Sequence, residues 1–468
     1  MTPQRTRVSS GTSSDDSDAV LVENRRVLAE QVAECAVQLY RQPLPSVVED
    51  HAQLLFVNAV AVALGGLKTP AVEACLRTES RTSWPVCSVP GLRQELDPWM
   101  AAVVLGVAGH VDDFDDTHLA TVIHPSTPVY SALLPAVALG APTRSFLRAF
   151  AVGCEMQLRI GLAMTPSHYD RGWHITGTCG TLGAAVAAAL SFEASRSQFA
   201  RAIEIAACFP LGQREAFGTM TKSLHVGKAG ANGLLATTLA MQLTAKPEGL
   251  LESEGAFFSA FADTWDPAVV LTDIVKTWHL LDVAVKPYPC GVVSHPLIDA
   301  GRLLREGGID PTKVSAIRVH CHPLVPELMA IARPRQELEA RFSARHALAA
   351  AICDPFVGRE AFSQSRIERA DIVELRRRIE LVPTEGCGRD AVVLRVVFVN
   401  GEVREVRVDQ SRGSPGRHLT RAEVFEKCAH LVGAEESVPF FERLSHLAQE
   451  ASGAEVARAL GEQKAICP

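Results

Sequence analysis

The densest run of chemically capable side chains is His110-Val-Asp-Asp-Phe-Asp-Asp-Thr-His118, followed six residues later by His124-Pro-Ser126. Asp112, Asp113, Asp115 and Asp116 fall within five positions, and four such carboxylates repel one another unless cations, protons or helix N-termini compensate. Three further segments supply the opposite character. Arg171-Gly-Trp-His174-Ile-Thr-Gly-Thr-Cys-Gly180 places a histidine before a Gly/Thr-rich turn that opens an Ala-rich helix. Lys222-Ser-Leu-His225-Val-Gly227-Lys228 stands near the start of another small-residue helix. Lys286-Pro-Tyr288-Pro-Cys290, with His295 after it, carries a lysine beside two prolines that fix the backbone. Cations at loops and helix starts suit a small anionic ligand with several carboxylates. Histidine suits removal of a proton alpha to a carboxylate near neutral pH.

Other chemistries compete for the acidic run. It could be a solvated loop between helices. Asp112, Asp113 and Asp116 also satisfy DDxxD, the magnesium-diphosphate pattern of the mostly helical terpene synthases, and a histidine–aspartate phosphohydrolase is a second metal reading. No second motif of the N/D-D-x-x-S/T-x-x-x-E type accompanies the first. An aromatic content of 6% disfavours a pocket that stabilises carbocations. No P-loop, Rossmann glycine fingerprint or GxSxG elbow is present.

These segments need elements to hold them. From about residue 24 to 275 the helical period dominates: Arg25–Tyr40, Val48–Leu64, Pro98–Val111, a helix from Thr143 through Cys154, Gly180–Ser191 and Ala229–Leu243, with no convincing strand. The last two are rich in Ala and Gly, which lets backbones approach closely. Beyond residue 277, Val314–His322 alternates like a strand and Arg376–Val382 is another candidate. Ala391–Asp409 reads as a hairpin about Asn400-Gly401, the pair favoured in a type I′ turn. Helices are expected again at Leu297–Arg305, Ala344–Cys353 and Thr420–Leu431. The fold expected is mainly α: a large all-α domain (24–275 plus 412–468), an inserted smaller α+β lid domain (276–411) and a disordered tail (1–23).

Composition narrows the class. The 468 residues are 47% hydrophobic and 21% charged with a net charge of −7, an ordinary globular balance that lacks the basic footprint of a nucleic-acid binder. The apolar fraction comes mostly from Ala, Val and Leu. Twelve cysteines form no CxxC pair, which fits buried thiols in a reducing compartment better than a disulfide framework or a zinc site. The longest apolar stretches, Leu54–Gly66 and Trp99–Val111, fall short of the roughly 18 residues that span a bilayer. The first 18 residues lack an apolar h-region. A cytoplasmic protein with no membrane partner is expected.

Taken together the segments resemble the MmgE/PrpD family. Asp113-Phe-Asp-Asp-Thr117 with His124-Pro-Ser126 is similar to its DFDDT…HPS hallmark, and Gly172-Trp-His174 with Gly177-Thr-Cys-Gly180 to its GFHPTGTxG segment. Lys222-Ser-Leu-His225-Val-Gly227 resembles K-x-x-H-x-G, Lys286-Pro-Tyr-Pro289 with His295 resembles K-x-Y/F-P…H, and Phe342-Ser343 its FS segment. The likeness runs from about residue 28 to 450. It implies a helical domain with a smaller α+β lid, a homodimer, and lyase or isomerase chemistry without cofactor or metal on a small di- or tricarboxylate. Carried over by motif, His124, His174, Asp113 and Thr117 are the catalytic candidates, and Lys222, Lys286, His225 and Tyr288 the substrate-binding ones. Three positions depart from the pattern: Ile175 replaces a proline, Gly291 stands where the decarboxylase branch has a histidine, and Ala330 where that branch has a tyrosine. Dehydration, decarboxylation and epimerisation all pass through a carbanion-like centre beside a carboxylate, and the motifs do not separate them.

Overall fold

The computed structural model describes residues 27–77, 86–244, 248–433 and 437–461, so the tail expected at 1–23 lies outside the described residues. The chain is mainly α with small sheets. Helices of nine residues or more are labelled in chain order. The first eight are α1 (Leu28–Arg41), α2 (Ser46–Gly66), α3 (Pro98–His110), α4 (Ser126–Ala138), α5 (Phe146–Leu162), α6 (Ile175–Ser191), α7 (Arg196–Ala207) and α8 (Thr221–Gln242). Next come α9 (His295–Glu306) and α10 (Ala344–Cys353), and finally α11 (Arg421–Val432), α12 (Val438–Glu450) and α13 (Gly453–Gly461).

The small-aliphatic composition has a direct structural consequence. Every residue of α6 is buried, and α8 and α5 pack on it. Such contact requires backbones without intervening side chains. A Cβ added at Gly106 of α3 would stand 2.6 Å from the Cα of Gly227 in α8, and one at Gly233 would stand 2.6 Å from Ala184 Cβ in α6. At Gly66 it would fall 1.9 Å from the Ala108 carbonyl oxygen. These glycines set where α2, α3 and α8 lie, and therefore where the loop after α3 and the first turn of α8 meet.

Helix starts follow local chemistry. Asp97 caps α3 by accepting from Trp99 N and Met100 N at 3.0 Å each, with Pro98 in the first turn. Thr420 and Glu423 form a capping box that starts α11. The sequence places α6 at Gly180, but it begins at Ile175. The Gly/Thr-rich stretch is helix, with Thr178 and Thr181 hydroxyls donating to carbonyls of the preceding turn. The apolar run placed at Leu54–Gly66 is the end of a helix beginning at Ser46. That helix is long and apolar enough to cross a membrane by length and composition, but 72% of its apolar window is buried inside the molecule.

The longer strands are β1 (Asp116–His118), β2 (Val283–Val285), β3 (Val314–Cys321), β4 (Ile379–Pro383), β5 (Val392–Phe398) and β6 (Val403–Val408). Four of them make one sheet in the order β4-β3-β5-β6, with β3 and β4 parallel and the other pairs antiparallel. The strand expected over Arg376–Val382 starts at Ile379, because Ala370–Arg377 is a short helix. The hairpin is also wound differently. Gly401 alone takes positive φ, at 85°, and Gly401 N donates to Phe398 O, so Val399–Gly401 forms a three-residue connection and not a type I′ turn. Strands do occur before residue 275. Cys87–Ser88 pairs with Glu95–Leu96, and β1 pairs with β2 in the register Asp116↔Val285, Thr117↔Ala284, His118↔Val283. Three residues are too few to show an alternating pattern, so pairing with a distant segment decides them.

Apolar side chains form two main clusters. One joins residues from Leu28 to Val285 with others from Leu419 to Leu460, and the second runs from Tyr288 to Val408. The described cysteines are free thiols.

Candidate active site

The β1–β2 pairing is what assembles the site. It lays the acidic loop after α3 beside the segment that ends in Lys286, 173 residues away in sequence. Asp113, in the left-handed region at φ 51°, turns its carboxylate to two ammonium groups. Lys222 Nζ lies 2.5 Å from Oδ1 and Lys286 Nζ 3.1 Å from Oδ2, and Lys286 also donates to the Asp113 carbonyl at 3.1 Å. Burial pushes this carboxyl's pKa up, but Lys222, Lys286 and the nearby histidines hold it well below the ordinary range. Burial pushes the Lys222 ammonium down. Its charge lies over the rings of Phe217 and Phe342 at 5.3 and 5.2 Å.

Beside this cluster stands a histidine with a fixed partner. Asp115 Oδ1 is 3.0 Å from His124 Nδ1 and Asp115 Oδ2 is 2.7 Å from His110 Nδ1, while Thr127 donates to Oδ2 at 3.0 Å. Thr117 Oγ1 is 3.2 Å from His124 Nδ1. His124 Nε2 is directed to the lysine cluster, 3.9 Å from Asp113 Oδ1. Burial lowers the pKa of His124 and drives that of His110 to about 3, so both rings are neutral near pH 7. The same two imidazoles, each hydrogen-bonded to it, hold Asp115 well below its usual value despite burial. Asp116 turns away to Ser126, and burial raises its pKa to about 7.

His174 occupies the N-cap position of α6, with Nδ1 3.1 Å from His225 Nδ1. Burial, with His110 and Lys222 nearby, keeps it well below 6.5. His174 faces the same pocket, whose lining includes Asp113, Thr117, His124, His174, Lys222 and Lys286. Val122 also lines it, at φ 55°. A β-branched residue there is strained, and it is held because His118 and Ile123 close the loop around it.

Two candidates are placed elsewhere. Tyr288 donates to Asp299 at 2.5 Å, accepts from Arg302 at 3.1 Å, and lines a separate cavity. The prolines that hold Lys286 turn the tyrosine two residues on away from the pocket. His225 lies behind His174 and supports it. His118 pairs with Thr121, His295 with the Cys290 carbonyl, and Lys228 is exposed. Ile175 is buried in the core, and Ala330 pairs with Ser343 outside the pocket lining.

The DDxxD carboxylates diverge. Asp112 pairs with Arg341 and Arg359, Asp113 with the lysines, and Asp116 with Ser126. Donor atoms of His110, Asp113, Asp115 and His124 do come within 4.8 Å of one another. However, Asp113 is already neutralised by two ammonium groups and Asp115 already holds both histidines. Local sequence missed several participants. Asp115 and His110 lay in the acidic run without a distinguishing spacing. Arg341 donates to Asp112 and to the Pro289 carbonyl, which ties the acidic loop to the segment after β2.

Residues 30–269 match the MmgE/PrpD N-terminal domain and residues 288–438 the MmgE/PrpD C-terminal domain. The chain is 32% identical over 317 residues to the cis-aconitate decarboxylase of Mus musculus, and 32% identical over 321 residues to that of Homo sapiens. Each alignment covers 64% of this chain and 64% of the relative, so the chain spans just under two thirds of their length. With both halves matched in order across the pocket that joins them, the chain belongs to the MmgE/PrpD family.

Proposed function

We propose that the protein is a lyase acting on a small di- or tricarboxylate, with His124 as the proton-transfer group and no cofactor. The observation that carries this reading is the pairing of His124 Nδ1 with Asp115 at 3.0 Å, beside two lysines that share one carboxylate. Lys222 and Lys286 share the single carboxylate of Asp113, which leaves ammonium N–H groups free to donate to a substrate carboxylate. A neutral His124 takes the proton from the carbon alpha to that carboxylate, and the charge that moves onto the carboxylate oxygens is stabilised by the ammonium groups. The electron pair then returns to expel a hydroxyl group beta to that carbon, which takes the proton held by His124 and leaves as water. His174, also neutral and supported by His225, provides the second proton-transfer group. In a decarboxylation, carbon dioxide leaves first, and a proton that His124 takes up from solvent is passed to the carbon. The likeness to cis-aconitate decarboxylases supports the decarboxylase arm.

The test is a thermal-shift screen with di- and tricarboxylates, followed by product analysis of each hit in deuterated water. Loss of water or carbon dioxide from a hit, abolished by His124→Ala, is the expected result. Deuterium incorporation without loss of either would instead indicate an epimerase. Full activity of His124→Ala on the true substrate would exclude the assigned role.

A further inference from the structure

The pocket has a second, chemically different wall. Its charged and hydrogen-bonding side chains come from the acidic loop and His124, from Tyr169, from the starts of α6 and α8, and from Lys286. Opposite in character are Gly291, Val292, Val293, Leu328, Met329 and Phe342, with Phe217 at their edge. These are one continuous apolar surface. Val293, Met329 and Phe342 are buried members of the second core cluster, and Phe217, Val292 and Leu328 pack against it. The backbone fixes the wall: Ala330 pairs with Ser343, Ile331 N donates to Phe342 O, and Ala344 N donates to Met329 O. At Gly291 the chain lacks a side chain, and the space is taken by the Met329 thioether, whose sulfur would lie 2.4 Å from a Cβ there. Apart from Phe217 and Phe342, over whose rings the Lys222 ammonium lies, the wall presents only aliphatic and thioether groups to a ligand held by the lysines.

We infer that the substrate is a dicarboxylate that carries a short alkyl group where a tricarboxylate would carry its third carboxyl. This rests on the carboxylate-binding reading above. A carboxylate pressed against the aliphatic part of this wall, Val292, Val293, Leu328 and Met329, would lose its water without gaining a charged partner. An alkyl group there gains about fourfold in affinity per buried methylene. The unbranched Met329 side chain adapts to its length.

The experiment measures dissociation constants by calorimetry on the full chain carrying His124→Asn, which blocks turnover. The probes are 2-methylmaleate, 2-ethylmaleate, 2-butylmaleate and cis-aconitate, which is maleate bearing a carboxymethyl group. 2-Ethylmaleate is expected to bind at least tenfold more tightly than cis-aconitate. In a Met329→Ala background the preference is expected to move from ethyl to butyl. If cis-aconitate binds as tightly as 2-ethylmaleate, the inference fails while the carboxylate reading stands. If no probe binds, both fail. An unchanged chain-length preference in Met329→Ala would overturn the role given to this wall.

Discussion

Asp115 accepts the Nδ1 proton of His124 across 3.0 Å, and this determines which face of the imidazole is basic. Asp115 is ionised, so it can only accept, and His124 must carry its proton on Nδ1. The lone pair is then on Nε2, the nitrogen nearer Asp113 and the lysines. Replacing Asp115 with Asn removes that constraint with little change in shape. The expected result is a fall in kcat of about 10²–10³-fold with KM altered only a few-fold, read from steady-state kinetics on the natural substrate. A KM effect alone would place Asp115 in binding and not in tautomer control.

The pH profile should be bell-shaped. His124 acts as base only when neutral, and burial places its pKa below 6.5, so kcat/KM rises with pH on a limb centred below 6.5. Lys222 must stay charged to hold a carboxylate. Burial lowers its pKa below 10.5, so the alkaline limb falls at a pH under that value. An acid limb centred above 6.5 would contradict this assignment.

Stability should fall on acidification. His110, His118 and His295 have folded pKa values of about 3, and His168 and His346 of about 4, each because burial disfavours the charged ring. Between pH 6.5 and these values the unfolded chain binds protons that the folded chain does not. Each histidine therefore removes about 1.4 kcal/mol of stability per pH unit as pH falls through that window. Asp116, raised to about 7, opposes them as a single group. Urea midpoints measured at pH 7, 6 and 5 should decline steadily. Constant midpoints would show that these rings are charged in the folded state.

Arg341 links the acidic loop to the segment after β2 through Asp112 and the Pro289 carbonyl. Arg341→Met should leave the buried Pro289 carbonyl, the half-buried Asp112 carbonyl and part of the Asp112 carboxylate without their donor. The expected cost is about 2–4 kcal/mol in chemical denaturation, with a loss of activity at temperatures well below the melting transition. Retention of full stability would mean that Arg359 alone suffices for Asp112.

Glycine contacts in the helical core should be intolerant of a single methyl. A Cβ at Gly227 would lie 2.5 Å from the Val103 carbonyl oxygen, so Gly227→Ala should cost about 1–3 kcal/mol and displace the first turns of α8. Gly461→Ala, with nothing within 4 Å, should change stability by no more than about 0.5 kcal/mol. Equal effects would show that α3 and α8 have freedom to separate.

The sequence by itself determined the character of the elements and of the reacting groups. Apolar spacing marked α1 to α3, the small-residue runs marked α6 and α8, and β-branched residues about Asn400-Gly401 marked β5 and β6, because these patterns arise within one segment. His124, His174, Lys222 and Lys286 were named through the likeness of their segments to the family's motifs, and the structure brings all four to one pocket. Direction could not be read in the same way. Tyr288 stands two residues from Lys286 and turns to Asp299, whereas Arg341 and Met329 became part of the site only through partners far along the chain. Pairing of β1 with β2 and the glycine contacts between α3 and α8 are long-range choices, made by burial and backbone geometry over the whole molecule. They decided which carboxylate holds the histidine, which holds the lysines, and which wall is left apolar.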